Sequence, residues 1–247
     1  MDSFFHIICY NWDIMKIIIA PTKQMKYVDT YAFEGTTPQF EANSQELRAY
    51  LATLDFDTLK KIMKASDAII QNVMEMYHSS HQKSPAILTY SGIAFQYMAP
   101  DVFSDSEFAY VQNHLRILSG MYGVLLPYDL IEPYRLEMQT KCPFSLYEYW
   151  NSKLADALED DLIINLASEE YAKCIRKYKK LIDVRFVEAN LKEKGVYAKM
   201  ARGEMVRYMA ENNVLTVEEL KKFNRQNYRF SPENSKENLL VFVRQSI

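Results

Sequence analysis

Three basic side chains stand close together in the segment 196–207. Arg202 follows Lys199 by three residues, and Arg207 comes about a turn and a half further along a predicted helix. Cations at this spacing repel one another unless an anion neutralises them, so they are suited to holding a phosphate. Solvent or the Glu204 carboxylate would neutralise these charges equally well. The spacing alone is therefore consistent with a phosphate track or with a solvated helix face.

Two glycines in the segment 115–125 (LRILSGMYGVL) suggest a second phosphate contact. Leu115 and Leu118 predict the end of a helix that starts near residue 106 and runs into a tight turn with Gly120 and Gly123. This pattern is similar to a helix-hairpin-helix motif, in which glycines expose backbone N–H groups to a phosphate. The usual hairpin has one residue between its glycines, and the pattern also fits a plain helix C-cap.

Arg135 and Glu137 follow Pro127 and Pro133, two residues that fix φ and stiffen the turn. One interpretation is that Arg135 faces a cleft as a phosphate fork, with Glu137 orienting it. The other is an Arg–Glu pair that only holds the loop together. The sequence favours neither of these two interpretations of Arg135.

Asn165 and Ser168 lie where a predicted strand (162–166) passes into a helix. The carboxyl ends of strands are where ligands bind in α/β sheets, and a helix N-terminus favours a phosphate or carboxylate. For Ser168, simple capping of the helix is the favoured interpretation.

The periodicity predicts a mixed α/β fold in one compact domain, residues 15–247. Residues 1–14 are interpreted as an N-terminal extension that could result from an upstream start codon. The predicted strands are 16–20, 86–90, 162–166, 181–187 and 239–243. The predicted helices are one carrying Leu47 to Leu54, one capped by Asp55 or Asp57 and carrying Leu59 to Met74, and those near 106–118, 145–158, 168–177, 197–212 and 216–223.

Charge is unevenly distributed along the chain, whose net charge is −3. Residues 171–207 hold eleven Lys and Arg against four acids, a net charge of +7, whereas the rest holds 18 basic and 28 acidic residues, or −10. Such a basic stretch fits a polyanion binder, although a charge run is more often a solvated face.

Common catalytic and metal-binding patterns are missing from the sequence. Cys9, Cys142 and Cys174 are widely spaced, which predicts neither disulfides nor a zinc site and fits a reducing cytoplasm. There is no GxSxG, Walker A, HExxH or GxGxxG motif. We therefore expect no metal, cofactor or membrane partner, and an enzymatic role stays open.

Five ordered blocks resemble the YaaA family of bacterial peroxide-stress proteins. They are KIIIAPTK (16–23), LRILSGMYGVLLPYDLIEPYRLEM (115–138), INLASEEY (164–171), YAKMARGEMVRYM (197–209) and LLVFVR (239–244). The resemblance implies an α/β fold with a positively charged cleft and a helix-hairpin-helix element. It also implies binding of duplex or distorted DNA, and protection from hydrogen peroxide linked to limiting free iron.

Site residues carried over from the family's blocks complete this prediction, with Arg207 added from its spacing. They are Lys23, Gly120, Gly123, Arg135, Glu137, Asn165, Ser168, Tyr171, Lys199, Arg202 and Gly203. Four positions depart from the family pattern. Ala20 and Thr22 stand where Ser and Ala are usual, Leu126 replaces a frequent Arg, and Ile93 replaces an acid. The competing hypotheses are an enzyme acting on a nucleotide, nucleobase or nucleic acid, and a protein-interaction module.

Overall fold

The computed structural model describes residues 15–159 and 162–245. The predicted N-terminal extension, residues 1–14, lies outside the described residues. The strands are β1 (Lys16–Ile19), β2 (Ser84–Pro85), β3 (Leu115–Ser119), β4 (Gly123–Leu125), β5 (Leu130–Ile131), β6 (Ile163–Asn165), β7 (Ile182–Val187), β8 (Tyr228–Phe230) and β9 (Leu239–Arg244).

Helices of very different length connect these strands. They are α1 (Glu41–Ala52), α2 (Phe56–Met63), α3 (Asp67–His78), α4 (Ala86–Thr89), α5 (Ile93–Met98), α6 (Asp105–His114), α7 (Leu146–Trp150), α8 (Lys153–Asp156), α9 (Glu169–Arg176), α10 (Gly195–Glu211) and α11 (Val217–Leu220). Within the described ranges, no helix combines the length and apolar character needed to cross a bilayer.

A seven-stranded sheet in the order β4-β3-β1-β6-β7-β9-β8 organises the domain. The five inner strands are parallel, and the edge strands β4 and β8 are antiparallel to their neighbours. From β1 the chain passes to β3 on one side and later to β6 on the other. Such a reversal opens a crevice at the carboxyl ends of the strands, where ligands of α/β proteins bind. The predicted mixed α/β fold is confirmed.

The predicted helix 106–118 is only partly correct. Helix α6 ends at His114, and the next five residues form β3, in register with β1 through Ile17 and Leu115. A short apolar run fits a central strand as well as a buried helix, and pairing with β1 decides the outcome. Gly123 then starts β4, so the segment 115–125 is a strand, a turn and a strand. The helix-hairpin-helix prediction for it is wrong.

The predicted strand 86–90 is also wrong, because residues Ala86–Thr89 form α4. Pro85 precedes this turn, and the Thr89 hydroxyl donates to the carbonyl oxygens of Ser84 and Pro85. The strands predicted at 16–20, 162–166, 181–187 and 239–243 are confirmed. Two predicted helices are each divided into two, as α2 and α3 and as α7 and α8.

Helix α10 packs closely against α5 at Gly203. A Cβ atom at this position would lie 1.9 Å from the carbonyl oxygen of Ala94, which is well inside van der Waals contact. A side chain here would force the two helices apart. The close approach therefore requires glycine, although glycine is a poor helix former.

Replacing Gly203 with alanine should lower the free energy of unfolding by about 1–3 kcal/mol, because overpacking outweighs the gain in helix propensity. Urea denaturation measures this change. Gly195→Ala is the matched control at the start of the same helix, since a Cβ there meets no atom within 4 Å. Equal denaturation midpoints for the two variants would contradict the prediction.

Candidate anion-binding site

A cavity of about 530 Å³ opens at the carboxyl ends of β1 and β6. Its walls come from the turns after these strands, from residues 134–137, from the start of α5 and from one face of α10. The residues are Ile19, Ala20, Pro21, Thr22, Lys23, Gln24, Gly92, Ile93, Ala94, Tyr134, Arg135, Leu136, Glu137, Leu166, Ser168, Glu170, Tyr171, Lys199 and Arg202.

Four of the predicted cations line this one cavity. Lys23 comes from the turn after β1 and Arg135 from the segment after β5, while Lys199 and Arg202 come from α10. The backbone N–H of Gly92 donates to the Thr22 hydroxyl at 3.2 Å and ties the turn after β1 to the start of α5. The fold thus collects charges that are far apart in sequence.

Glu137 lies between two of these cations. Its Oε2 is 3.3 Å from Lys23 Nζ, and its Oε1 is 3.8 Å from Arg135 Nε. The second distance is an ion pair but too long for a hydrogen bond. The two interpretations of Arg135 are therefore compatible, because the pair with Glu137 exists without using the donors of the guanidinium.

Arg135 and Arg202 each have a buried Nε without a hydrogen-bond partner among the described residues. Both side chains are mostly buried, with 18% and 17% of their surface exposed. Arg202 donates from Nη2 to Glu193 Oε1 at 3.1 Å, and burial lowers the pKa of its guanidinium. A buried donor without an acceptor is costly. Both guanidinium groups also line the cavity, where an oxyanion would offset their positive charge.

A buried tyrosine on α3 holds the backbone of Arg135 in place. The Tyr77 hydroxyl donates to the Arg135 carbonyl oxygen at 2.8 Å and accepts the Arg135 N–H at 3.1 Å. Arg48 lies over the Tyr77 ring, 5.5 Å from its centroid, and donates to the Pro133 carbonyl oxygen at 2.9 Å. Sequence reasoning missed both residues, since their contacts with 133–135 leave no local pattern.

Ser168 and Tyr171 line the cavity near the start of α9. Ser168 occupies the N-cap position, but its hydroxyl makes no capping hydrogen bond with the described residues. Burial raises the pKa of Tyr171 well above its usual value, so its phenol stays protonated and able to donate. Both positions are suited to an anionic ligand, because the helix N-terminus adds its positive end.

Three predicted residues do not line the cavity because they have structural contacts elsewhere. Asn165 is buried, and its amide donates to Asp183 and accepts the Ala167 N–H. Gly203 packs against α5, and Arg207 pairs with Glu211 at 2.7 Å.

The two glycines of the segment 115–125 are also absent from the cavity wall. Gly123 has a φ of 72° and is packed by Trp150 and Leu154, while the Gly120 carbonyl oxygen accepts the indole N–H of Trp150 at 3.0 Å. Both glycines are buried, so their role in this structure is a tight turn in the core.

The basic stretch 171–207 does not form a single face. Of its eleven basic residues, all of which the structure describes, Lys199 and Arg202 line the cavity. Arg176 pairs with Asp183 at 2.9 Å and with Glu169 at 3.1 Å. The charge run therefore includes residues that are neutralised by local acids, and its net value overstates the charge available to a polyanion.

Of the departures from the family pattern, Ala20, Thr22 and Ile93 line the cavity. Ile93 forms part of the wall, which is apolar at that point, whereas Leu126 is not among the lining residues. The Leu126 N–H donates to Asp129 Oδ2 at 2.8 Å. Among the described residues, no three His, Cys, Asp or Glu side chains are grouped as metal ligands would be.

Fold and site together define a mixed α/β protein with a cationic cavity at the switch point of a mainly parallel sheet. A family model described as peroxide stress protein YaaA matches residues 15–234. A UPF0246 protein of Agathobacter rectalis is 45% identical, over 94% of this chain and 99% of the relative. A UPF0246 protein of Desulfitobacterium hafniense is 42% identical, over 93% of this chain and 98% of the relative. A UPF0246 protein of Lacticaseibacillus casei is 43% identical, over 93% of this chain and 99% of the relative. The chain belongs to the YaaA family of peroxide stress proteins, as its five sequence blocks predicted.

Substituting Tyr77 with phenylalanine should destabilise the fold by about 1–3 kcal/mol, because the buried N–H and C=O of Arg135 lose their partner. Chemical denaturation gives the change in the free energy of unfolding. Tyr27→Phe serves as the control, since Tyr27 is 48% exposed. An unchanged stability in Tyr77→Phe would show that the two hydrogen bonds do not hold the segment 133–135.

Proposed function

We propose that this protein acts in the response to hydrogen peroxide by binding DNA, and that the cavity holds a phosphate of the bound nucleic acid. The observation that carries the proposal is the pair of mostly buried arginines, Arg135 and Arg202, whose side chains both line the cavity. Guanidinium groups bind phosphate oxygens with short, charge-assisted hydrogen bonds. Lys23 and Lys199 add positive charge to the same cavity.

The location of the cavity supports an anionic ligand as well. It lies at the carboxyl ends of parallel strands, beside the N-terminal residues of α9. Both features favour negative charge, the first through the topology of the sheet and the second through unpaired N–H groups of the helix. The link to limiting free iron and the cytoplasmic location stay predictions of the family resemblance.

DNA affinity measured against salt concentration tests the proposal. The Arg135→Ala and Arg202→Ala double variant should bind at least about tenfold more weakly, because hydrogen bonds to charged groups contribute about 1.5–3 kcal/mol each. The slope of log affinity against log salt should fall by about 1, because both arginines contact the same phosphate. Fluorescence anisotropy with a labelled oligonucleotide measures both quantities.

Arg207→Ala is the matched control for this experiment. It removes a cation from the same basic stretch, but from a residue that pairs with Glu211 and does not line the cavity. An equal loss of affinity in this variant would place DNA along α10 rather than in the cavity. Binding that is absent from the native protein, or insensitive to salt, would contradict the proposal itself.

Cys142 and Cys174 are poorly suited to sensing peroxide by direct oxidation. The thiolate is the reactive form, and burial raises the pKa of both thiols, that of Cys174 to about 12. A group with a raised pKa is protonated below that pKa, so at pH 7 Cys174 is almost entirely in the unreactive thiol form.

Brief peroxide treatment at pH 7 should therefore leave Cys174 largely unmodified while free cysteine in the same mixture is oxidised. Its reactivity should rise only as the pH approaches 12. Mass spectrometry after labelling of sulfenic acids measures the extent. Rapid modification of Cys174 at neutral pH would show that the thiol is more accessible than the structure indicates.

A second candidate function is an enzyme acting on a nucleotide, nucleobase or nucleic acid in the same cavity. The observation that favours it is size, because about 530 Å³ falls in the range of about 300–1,000 Å³ typical of small-molecule sites. Incubation with deoxynucleotides and oligonucleotides, followed by chromatography, would detect a product. If no product forms from these substrates, the enzymatic hypothesis is excluded and DNA binding is the function that the cavity supports.

A further inference from the structure

The shape of the cavity restricts how nucleic acid could enter it. Proteins that read duplex DNA place a convex helix or ribbon in a groove about 12 Å wide. The cationic site of this protein is instead concave, with a volume of about 530 Å³. A concave cavity of this size admits a base that has left the helical stack, as in proteins that act on extruded bases.

The walls of the cavity have two kinds of surface, which match the two parts of a nucleotide. Ala20, Pro21, Ile93 and Ala94 are partly exposed and supply apolar surface. Arg135 and Arg202 supply charged donors. The faces of a base are largely apolar and pack against such surface, while guanidinium groups hold phosphate oxygens.

Three other cations of the basic stretch are paired with acids, so they are poorly suited to contacting further phosphates along a bound duplex. Arg176 is paired with Asp183, Lys194 with Glu188, and Arg207 with Glu211. A protein that binds along a duplex neutralises about 6–10 phosphates. The four cations that line the cavity are fewer than such a track needs, and they suit one phosphate held there.

We infer that the cavity takes a single unstacked nucleotide, with its base on the apolar wall and its phosphate at Arg135 and Arg202. The inference rests on the proposed DNA binding for the source of that nucleotide. An extruded or single-stranded nucleotide is the form that fits, because a stacked and paired base cannot reach the apolar wall.

Competition binding tests this inference. Deoxynucleoside 5′-monophosphates should displace a fluorescein-labelled single-stranded oligonucleotide from the native protein. Deoxynucleosides and inorganic phosphate should each require at least about tenfold higher concentrations, since each retains only part of the contacts.

A variant that fills the cavity gives a second test. Ile93→Trp adds volume at the wall without removing a cation, and it should weaken binding of both the monophosphates and the oligonucleotide at least about tenfold. Ile69→Trp is the matched control on α3, where Ile69 is 37% exposed and outside the cavity. Thermal melting checks that both variants fold, and Ile93→Phe replaces Ile93→Trp if the latter does not.

The outcomes separate this inference from the proposed function. If the oligonucleotide binds, but monophosphates do not displace it and Ile93→Trp binds it normally, the single-nucleotide site is excluded and DNA binding stands. If monophosphates bind and DNA does not, DNA binding is excluded and the cavity is a site for free nucleotides. If neither binds, both ideas are overturned.

Discussion

The burial of β1 between two parallel neighbours is the constraint on which the rest of the structure depends. All four of its residues are buried, and it pairs with β3 on one side and β6 on the other. A strand in this position needs a continuous apolar sequence, which KIII provides in its last three residues. Because the three strands run in the same direction, the turns that follow β1 and β6 meet at one edge of the sheet and form the base of the cavity.

Holding cations in a half-buried cavity carries an energetic cost, and this fold meets it in two ways. Glu137 neutralises part of the charge of Lys23 and Arg135, and Glu193 accepts a hydrogen bond from Arg202. The backbone of Arg135 is fixed by Tyr77 rather than left to a mobile loop. The positive charge that remains on Arg135 and Arg202 faces the cavity, where a bound oxyanion would offset it.

The same structure shows why net charge is a weak guide to a binding surface. Residues 171–207 carry a net charge of +7, yet several of their cations lie beside acids from the same stretch or from nearby. Arg176 and Asp183 are seven residues apart in sequence and form two hydrogen bonds. A polyanion responds to the local arrangement of charges, so the four cations of one cavity matter more than the total.

The sequence by itself determined the family, the α/β class and four of the five inner strands, β1, β6, β7 and β9. Continuous apolar runs and several ordered motifs are local features, and they survive in the folded protein. It also identified most of the cavity's polar residues, because they belong to the sequence blocks that resemble those of the family.

Only the tertiary structure decided which of these residues meet. The run 115–119 fits a helix or a strand equally well until it pairs with β1, and that pairing turned a predicted phosphate-binding hairpin into part of the core. Gly203 and Asn165 belong to matching sequence blocks, yet neither lines the cavity. Gly203 packs closely against Ala94, and the Asn165 amide donates a hydrogen bond to Asp183. Contacts between residues distant in sequence, such as that of Tyr77 with Arg135, leave no periodic signal, since they depend on where the whole chain places each helix.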